Sequence, residues 1–475
     1  MLLYDMVVIG GGAAGLVAAK LARGLGQKVL IIEKNKLGGV CTWTGCIPSK
    51  ALLKVAQVAY RAQDLKRFGI KTKHPLQLDF SGVMAHVHER INHVYTTHTP
   101  EVLLSQGIET RFGSPVFVDK FTLEVNQTYI RFKKCIIATG TSAAIPSIEG
   151  LDSDMYFTNE NFFEIKNLPE SLIIIGGGPT GIELSSALIR LGVKVTLIEM
   201  NDLLLSREDN ELSALLTKKL MSQGLTIYTG VKAQRISRNG SGILLTCKTK
   251  DDKEIVLTAQ KLLLAVGRNP NIDNLNLEAA GVAVTSKSIV TDTTLRTTAK
   301  HIYACGDVVG PYLFSHMAEY QASIAVRNAV IPFFKKHVDY SQVVWVTFTD
   351  PEFASAGLSY QEARRKFGDS VHVRSYEYKN IDRARVDNEE FGMAKIVLNK
   401  KNKIVGSSIL GVNAGEIIHE IQLGKYYNIP FAKFYAVIHA YPTYSEVLWL
   451  AAKKEYIASL ENNKWLKLVR LLFGY

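Results

Sequence analysis

The sequence predicts an α/β fold: two doubly wound parallel-sheet units, followed by a smaller α+β domain. Three observations predict it. An apolar strand, a glycine-rich turn, a helix and a second strand ending in an acid occur in succession twice, beginning at residues 4 and 172. The spacing from first glycine to acid is 23 residues in both copies, Gly10 to Glu33 and Gly176 to Glu199. After residue 340 the texture changes to alternating strands and two helices with no glycine fingerprint.

A chain of 475 residues is too long for one core, and several domains are expected. Hydrophobic residues make up 47% and charged residues 21%, an ordinary balance for a folded soluble protein. Five cysteines, dispersed except for one pair, do not make a secreted disulfide framework; a reducing, cytoplasmic compartment fits better. The N-terminal residues run straight into a strand, with no basic segment or cleavage site of a secretory signal. No apolar run approaches the roughly 20 residues that span a bilayer. The formal charge is +12, but lysine and arginine are spread along the chain without a nucleic-acid reader motif. No nucleic-acid partner is expected. The charge serves solubility and the attraction of anionic cofactors or lipids.

Residues 4–9 form the first strand, and Gly10-Gly11-Gly12-Ala13-Ala14-Gly15 follows at once. Gly10, Gly12 and Gly15 complete a GxGxxG fingerprint, which permits a tight turn and lets backbone N–H groups approach a pyrophosphate at a helix N-terminus. Glu33, closing the second strand, is positioned to accept ribose hydroxyls. Gly176, Gly178 and Gly181 repeat the fingerprint, and Glu199 repeats the acid. Two such sites, one beside a dithiol, imply a flavin in one and a nicotinamide in the other. Glu199 favours NAD(H), because a carboxylate there repels a 2′-phosphate; NADP(H) is the alternative.

The dithiol lies in Gly38–Leu53, where Cys41 and Cys46 flank a four-residue turn and a helix-forming run follows. Pro48 suits a first helical turn, so Cys46 is expected at or just before a helix N-terminus, where the dipole favours a thiolate. Two ordinary buried cysteines are the alternative, but the flanking motifs favour a redox-active pair.

Residues 60–110 read as polar helix and 111–137 as short strands with turns. His86, His88, His93 and His98 fall in the helical stretch; only His86 and His93 share a face, so they are expected to be solvated and no metal site is assigned. Thr139 and Gly140 form a turn that returns the first unit to its nucleotide, with Gly267 as the counterpart in the second unit. Cys135 and Cys247 read as strand-core residues. Asp307 ends a strand at 301–307, positioned for a polar cofactor or as the cap of the following helix. The expected domains are 1–150, 151–270, 271–339 and 340–475. The C-terminal segment is basic and amphipathic, with Lys464, Lys467 and Arg470 at helical spacing. Docking on the protein itself is favoured over weak contact with a membrane surface.

These motifs resemble the class I pyridine nucleotide–disulfide oxidoreductases, a family that includes dihydrolipoyl dehydrogenase, glutathione reductase and mercuric reductase. The resemblance covers Met6 to about Lys454: both fingerprints, the Cys41–Cys46 dithiol in GGxCxxxGCIPSK, Ala138-Thr139-Gly140, Cys305-Gly306-Asp307 and the ProThrTyrSerGlu of 442–446. It implies an FAD and NAD(P) enzyme working as a homodimer through its C-terminal domain. It also implies that Cys46 is the thiolate facing the flavin and Cys41 the sulfur exchanging with substrate. Lys50 and Glu183 would be the ion pair near the flavin, and Asp307 would hold the ribityl chain.

The sequence departs from the family pattern in two places. The acid/base histidine that precedes ProThr is replaced by Tyr441, although Glu446 is retained and His439 stands two residues earlier. A tyrosine near pKa 10 is a poor proton shuttle at neutral pH. Tyr441 resembles the mercuric reductases, yet no cysteine follows Cys305 to deliver a metal. Thr42-Trp43-Thr44 also replaces the usual turn between the cysteines. The leading expectation is a mercuric-reductase-like enzyme acting on a disulfide, dithiol or thiolate-bound metal. The alternatives are a dihydrolipoyl dehydrogenase and, in another class, a redox-sensing or membrane-associated flavoprotein.

Overall fold

The computed structural model describes residues 2–73, 77–461 and 464–473. The chain divides into two units. One holds the residues up to Glu170 with Ile236–Ile243 and Ala259–Asp339; the other holds Ser171–Arg235, Leu244–Thr258 and the residues from Tyr340 on.

The first unit is built on a seven-stranded sheet. Its order is β3 (Ile108–Phe112), β2 (Val29–Glu33), β1 (Leu2–Ile9), β6 (Thr128–Ile137), β5 (Thr122–Val125), β4 (Val116–Asp119), and Ile302–Ala304 also pairs with β6. The strands β3, β2, β1, β6 and Ile302–Ala304 run parallel, whereas β4 to β6 form an antiparallel meander. Met6 and Val8 of β1 face a layer of small residues, Ala18 and Ala22 of α1 (Ala13–Gly24) with Ala322 and Ala325 of the helix Ser315–Val330. Val7 and Ile9 face the other core, with Phe117, Leu123 and Ile289. Both faces are covered, so the central strands read as continuous apolar runs rather than alternating ones. The covered faces leave the strand C-terminal ends, with their loops, as the place for polar groups.

Four α-helices follow β2 before β3: α2 (Gly39–Trp43), α3 (Cys46–Gln63), α4 (Phe80–Tyr95) and the short α5 (Pro100–Ser105). Residues 60–110 are thus helical only in part. His86 and His93 are exposed on α4, as expected. His98 is not solvated: α4 stops at Tyr95, and the turn that follows folds His98 inward to 6% exposure. Its Nδ1 meets Thr97 Oγ1 at 3.0 Å, and burial followed by the charge of Lys20 lowers its pKa. His88 also departs from the expectation, bonding the carbonyl of Phe163 at 3.0 Å.

In the second unit Thr226–Thr229, Lys194–Glu199 and Ser171–Ile175 pair in parallel, with the helix Pro179–Arg190 linking the last two. The segment after residue 340 forms a five-stranded antiparallel sheet, ordered Val344–Thr347, Glu352–Gly357, Ile404–Gly411, Met393–Leu398, His372–Glu377. Its core includes Ile396, Ile409, Ile418 and Phe431 with Val447 and Leu448 of the helix Glu446–Glu461. More helices form here than the two expected. Tyr360–Phe367 and Asp382–Asp387 are short and rich in charge, so apolar periodicity does not reveal them. The capping box of Ser359 and Glu362 is the local signal for the first. Lys464–Phe473 is helical, with Trp465, Leu471 and Leu472 exposed; the side chains of Lys464, Lys467 and Arg470 lie outside the described residues.

Candidate functional site

The first glycine turn is shaped by close backbone approach. Gly10 has φ +102°, and a Cβ there would stand 2.4 Å from the carbonyl oxygen of Ala138. A Cβ on Gly15 would stand 1.8 Å from the carbonyl oxygen of Gly10. Gly12 is the N-cap of α1, with no side-chain cap and no acid in the first turn, so the helix presents its N–H groups and positive dipole end. Glu33 accepts from the Gly11 N–H at 2.7 Å and from the Asn35 N–H at 2.8 Å. Opposite the turn, Thr139 Oγ1 is buried and finds no hydrogen-bond partner among the described residues. Gly140 has φ +66°, and its carbonyl accepts from the Asn271 N–H at 2.9 Å. An uncapped helix start, an orphaned hydroxyl and a polar turn fit a bound dinucleotide.

The second turn repeats the arrangement. Gly178 caps the helix Pro179–Arg190 without a side-chain bond, and a Cβ there would meet nothing within 4 Å. Gly176 has φ +115°, and Gly181 is buried in the first helical turn. Glu199 accepts from the Gly177 N–H at 2.6 Å and from Asn201 N–H and Nδ2 at 2.7 Å each. In both copies the acid thus fastens the middle glycine, Gly11 or Gly177. Sequence reasoning did not assign these residues, although their matching register was available. Glu183 is buried in the following helix, with Oε1 accepting from the Phe348 N–H at 2.9 Å. Gly267, read as the second unit's counterpart of Gly140, groups with the first unit, where its carbonyl accepts from the Ala144 N–H at 3.0 Å.

Cys41 lies in α2, and Cys46 is the first residue of α3; both are half-buried thiols. Gly45 gives α3 no side-chain cap, so the helix N-terminus is open toward the Cys46 sulfur. Cys46 Sγ also lies 3.3 Å from Oγ of Ser315, the first residue of a second helix that lacks a side-chain cap. Two helix starts therefore meet at one sulfur. The Cys41 thiol is held far above the ordinary thiol range. The hydrogen bond to Cys46 is the largest cause, followed by burial and the Cys46 charge; Ser315 pulls it down and Glu319 adds to the rise. Cys41 therefore holds its proton, and Cys46 is the sulfur placed beside the two helix starts. Lys50 stands one turn along α3, on the face of Cys46.

A polar bridge, not anticipated from the sequence, ties the dithiol turn to Asp307. Asn159 Nδ2 donates to the carbonyl of Thr44, between the two cysteines, at 3.1 Å. Arg268 donates to Asn159 Oδ1 at 3.3 Å, to Thr141 Oγ1 at 2.7 Å and to the Thr141 carbonyl at 2.6 Å. Thr141 Oγ1 in turn donates to Asp307 at 3.2 Å. Asp307 does not cap the next helix, whose N-cap is Phe314. Burial raises the Asp307 carboxyl pKa, with Arg268 and then Thr141 opposing the rise. A half-buried acid under the field of a half-buried guanidinium is a ready partner for hydroxyls.

Tyr441 is 70% exposed. Its hydroxyl donates to Asp382 at 3.1 Å, and that bond followed by the Asp382 charge raises the phenol pKa. Glu446 accepts weakly from the Thr443 N–H at 3.4 Å. His439 has both ring nitrogens engaged, Nδ1 with the Val437 carbonyl at 2.9 Å and Nε2 with Glu420 at 3.0 Å. A carbonyl only accepts, so Nδ1 carries a proton; the Nε2–Glu420 contact shares another. Burial raises the Glu420 pKa, against the pull of His439. Among the described residues, no group of three or more His, Cys, Asp or Glu side chains could hold a metal ion. No helix among them is long and apolar enough to cross a membrane.

Two dinucleotide turns with a dithiol beside the first define a flavin- and nicotinamide-dependent oxidoreductase. The chain matches the family described as pyridine nucleotide-disulphide oxidoreductase over residues 4–329, and that family's dimerisation domain over 343–452. It is 34% identical to a mercuric reductase of Bacillus cereus, covering 94% of this chain and 71% of that one. It is 32% identical to a dihydrolipoyl dehydrogenase of Bacillus subtilis, covering 94% and 97%. A solved structure, the Cu(II) complex of the HOCl-induced flavoprotein disulfide reductase RclA from Escherichia coli, superposes with a TM-score of 0.85 at 28% identity, covering 96% of this chain and all of that one. The chain belongs to the pyridine nucleotide–disulfide oxidoreductases, FAD enzymes that use NAD(P)H, and it carries their dimerisation domain.

Proposed function

We propose that this flavoprotein passes electrons from NAD(P)H through FAD to the Cys41–Cys46 pair, and from there to a thiolate-bound metal ion rather than to a lipoyl dithiol. The observation that carries the choice of acceptor is the state of the C-terminal proton donors. The Tyr441 phenol is a donor to Asp382 with a raised pKa, and both nitrogens of His439 are occupied. Oxidising a dithiol substrate requires a base to take its protons, and neither side chain offers one. The Cu(II) complex of the structural relative RclA is in keeping with a metal acceptor.

In this reading the first turn, with Gly10, Gly12, Gly15, Glu33, Thr139, Gly140 and Asp307, holds FAD. The second, with Gly176, Gly178, Gly181 and Glu199, holds NAD(H). Lys50 and Glu183 are the residues to which the resemblance assigns the charges near the flavin. Bound FAD supplies two-electron transfer between nicotinamide and disulfide. A hydride equivalent carries two electrons and one proton, so breaking the S–S bond leaves one thiolate and one thiol. Cys46 keeps the charge, at two helix starts, and Cys41 keeps the proton, as its raised pKa dictates. Soft sulfur ligands then receive a soft metal ion. Two electrons leave for the metal, the disulfide re-forms, and the Cys41 proton goes to water.

The protein acts as a homodimer in the cytoplasm in this reading. The test compares NADH oxidation driven by mercuric ion in excess small thiol with NAD⁺ reduction driven by dihydrolipoamide. Metal-dependent turnover unaffected by His439→Ala is the expected result. Brisk dihydrolipoamide turnover that is lost in His439→Ala would overturn it in favour of a dihydrolipoyl dehydrogenase.

A further inference from the structure

Between the helix Ser315–Val330 and the second unit runs a short loop, IlePro-PhePhe-LysLys, at residues 331–336. Phe333 is 71% exposed and Phe334 90%. Two adjacent phenylalanines standing in water are unusual for a linker, because each forfeits the burial of a large apolar ring. The loop is not loose. Arg327 donates to the Phe334 carbonyl at 2.7 Å. The buried Asn328 clamps Lys336 twice, accepting from its N–H at 2.8 Å and donating to its carbonyl at 2.7 Å. Lys335 donates to the carbonyls of Asn328 and Ile331. Phe334 is held at φ +52°, the left-handed region that a phenylalanine disfavours. The polar groups of the loop turn inward, and the rings are left outside.

Cations outnumber acids around the loop. Lys335 feels Lys134, Arg296 and Arg327 as neighbouring positive charges, and Lys336 is exposed beside it. The acid paired in this group is Asp292, 3.4 Å from Arg296. A second copy of the chain would bring the same cations to this face and be repelled. We propose that the loop 331–336 docks the protein onto an anionic lipid surface, with Phe333 and Phe334 entering the headgroup region and the exposed Lys336, reinforced by the positive field of its half-buried neighbours, meeting the lipid charge. Aromatic insertion and a basic patch together supply the two signals that stable surface anchoring needs. This inference does not depend on the identity of the electron acceptor.

The test is flotation of the full-length holoenzyme with phosphatidylcholine vesicles, with or without about 30% phosphatidylserine, a content that gives a negative surface potential. The wild type is expected to float with the anionic vesicles only. The Phe333→Ser/Phe334→Ser double variant keeps every charge and should lose about tenfold or more in partition, as expected for two large rings withdrawn from the interface. Phe334→Trp should show a blue-shifted emission on adding anionic vesicles. Equal partition of wild type and double variant would overturn the inference, since charge or the C-terminal helix alone would then account for binding. Failure of the wild type to float would also overturn it. So would loss of wild-type self-association in the double variant by light scattering, because the face would then be a contact between copies. Retained flavin content and circular dichroism establish that the variant is folded.

Discussion

Cys41 and Cys46 are chemically equivalent as residues, and their positions make them different. The Cys46 sulfur is the largest cause of the raised Cys41 pKa. Cys46→Ser should therefore let Cys41 ionise more readily, shifting the pH of half-maximal alkylation by iodoacetamide down by about one unit or more. Ser315→Ala should move the same midpoint upward, because Ser315 favours the Cys41 thiolate. No change in Cys46→Ser would mean that the two thiols do not interact, and no change in Ser315→Ala that Ser315 does not act on Cys41. His439 and Tyr441 carry a similar lesson. A histidine near a glutamate suggests an acid–base pair, but this His439 has one nitrogen on Glu420 and the other on the Val437 carbonyl, so neither is open.

At the level of elements, the dithiol turn depends on a segment more than a hundred residues away. Asn159 satisfies the Thr44 carbonyl and accepts from Arg268, which also fastens the strand Thr141–Ala143. Asn159→Ala removes both bonds and leaves a half-buried carbonyl without its donor, a loss of roughly 1–3 kcal/mol by analogy with other buried bonds. The expected signature is faster alkylation of the reduced dithiol and greater hydrogen exchange over Gly39–Cys46, with exchange in the helix Pro179–Arg190 unchanged. Unaltered exchange in the dithiol turn would refute the tether. The turn has a second support, in which Trp43 Nε1 donates to the Leu37 carbonyl at 2.8 Å and the indole packs on Tyr95 of α4. Trp43 therefore braces the loop through contacts independent of the polar bridge.

For the whole molecule, stability should depend on pH in part through a buried acid of the second unit, the one with the largest carboxyl shift among the described residues. Glu208 accepts from Trp345 and Ser355, and burial lifts its pKa from 4.5 to about 7 despite those bonds. Glu362 and Asp209 add to the rise, while Asp209 and Glu211 are themselves paired with Lys395. Above pH 4.5 the unfolded chain gives up this proton and the folded chain keeps it, so stability falls as pH rises toward 7 and then levels. The loss is roughly 3 kcal/mol at most. Glu208→Gln, which keeps a donor and an acceptor in place, should flatten urea-unfolding free energies between pH 4.5 and 7. An unchanged slope would exclude Glu208 as its source.

The repeated fingerprints, the dithiol and the open helix start at Cys46 were legible in the sequence because each is a local pattern. Glycines permit the close turns, and an acid a fixed distance away returns to the same loop, whatever the surroundings. His98, by contrast, sits in a polar stretch that reads as solvated, and only the end of α4 at Tyr95 turns it inward. Asn159, Arg268 and Ser315 have no local signature at all; they reach the dithiol because parallel strands and their crossover helices bring distant loops to the same sheet ends. The sequence alone determined the two nucleotide units, the cysteine pair and the loss of the usual histidine. Tertiary structure alone decided which groups hold the turn, how far Cys46 raises the Cys41 thiol and which nitrogens stay engaged, because electrostatics and hydrogen bonding act through space and depend on burial that no short stretch of chain specifies.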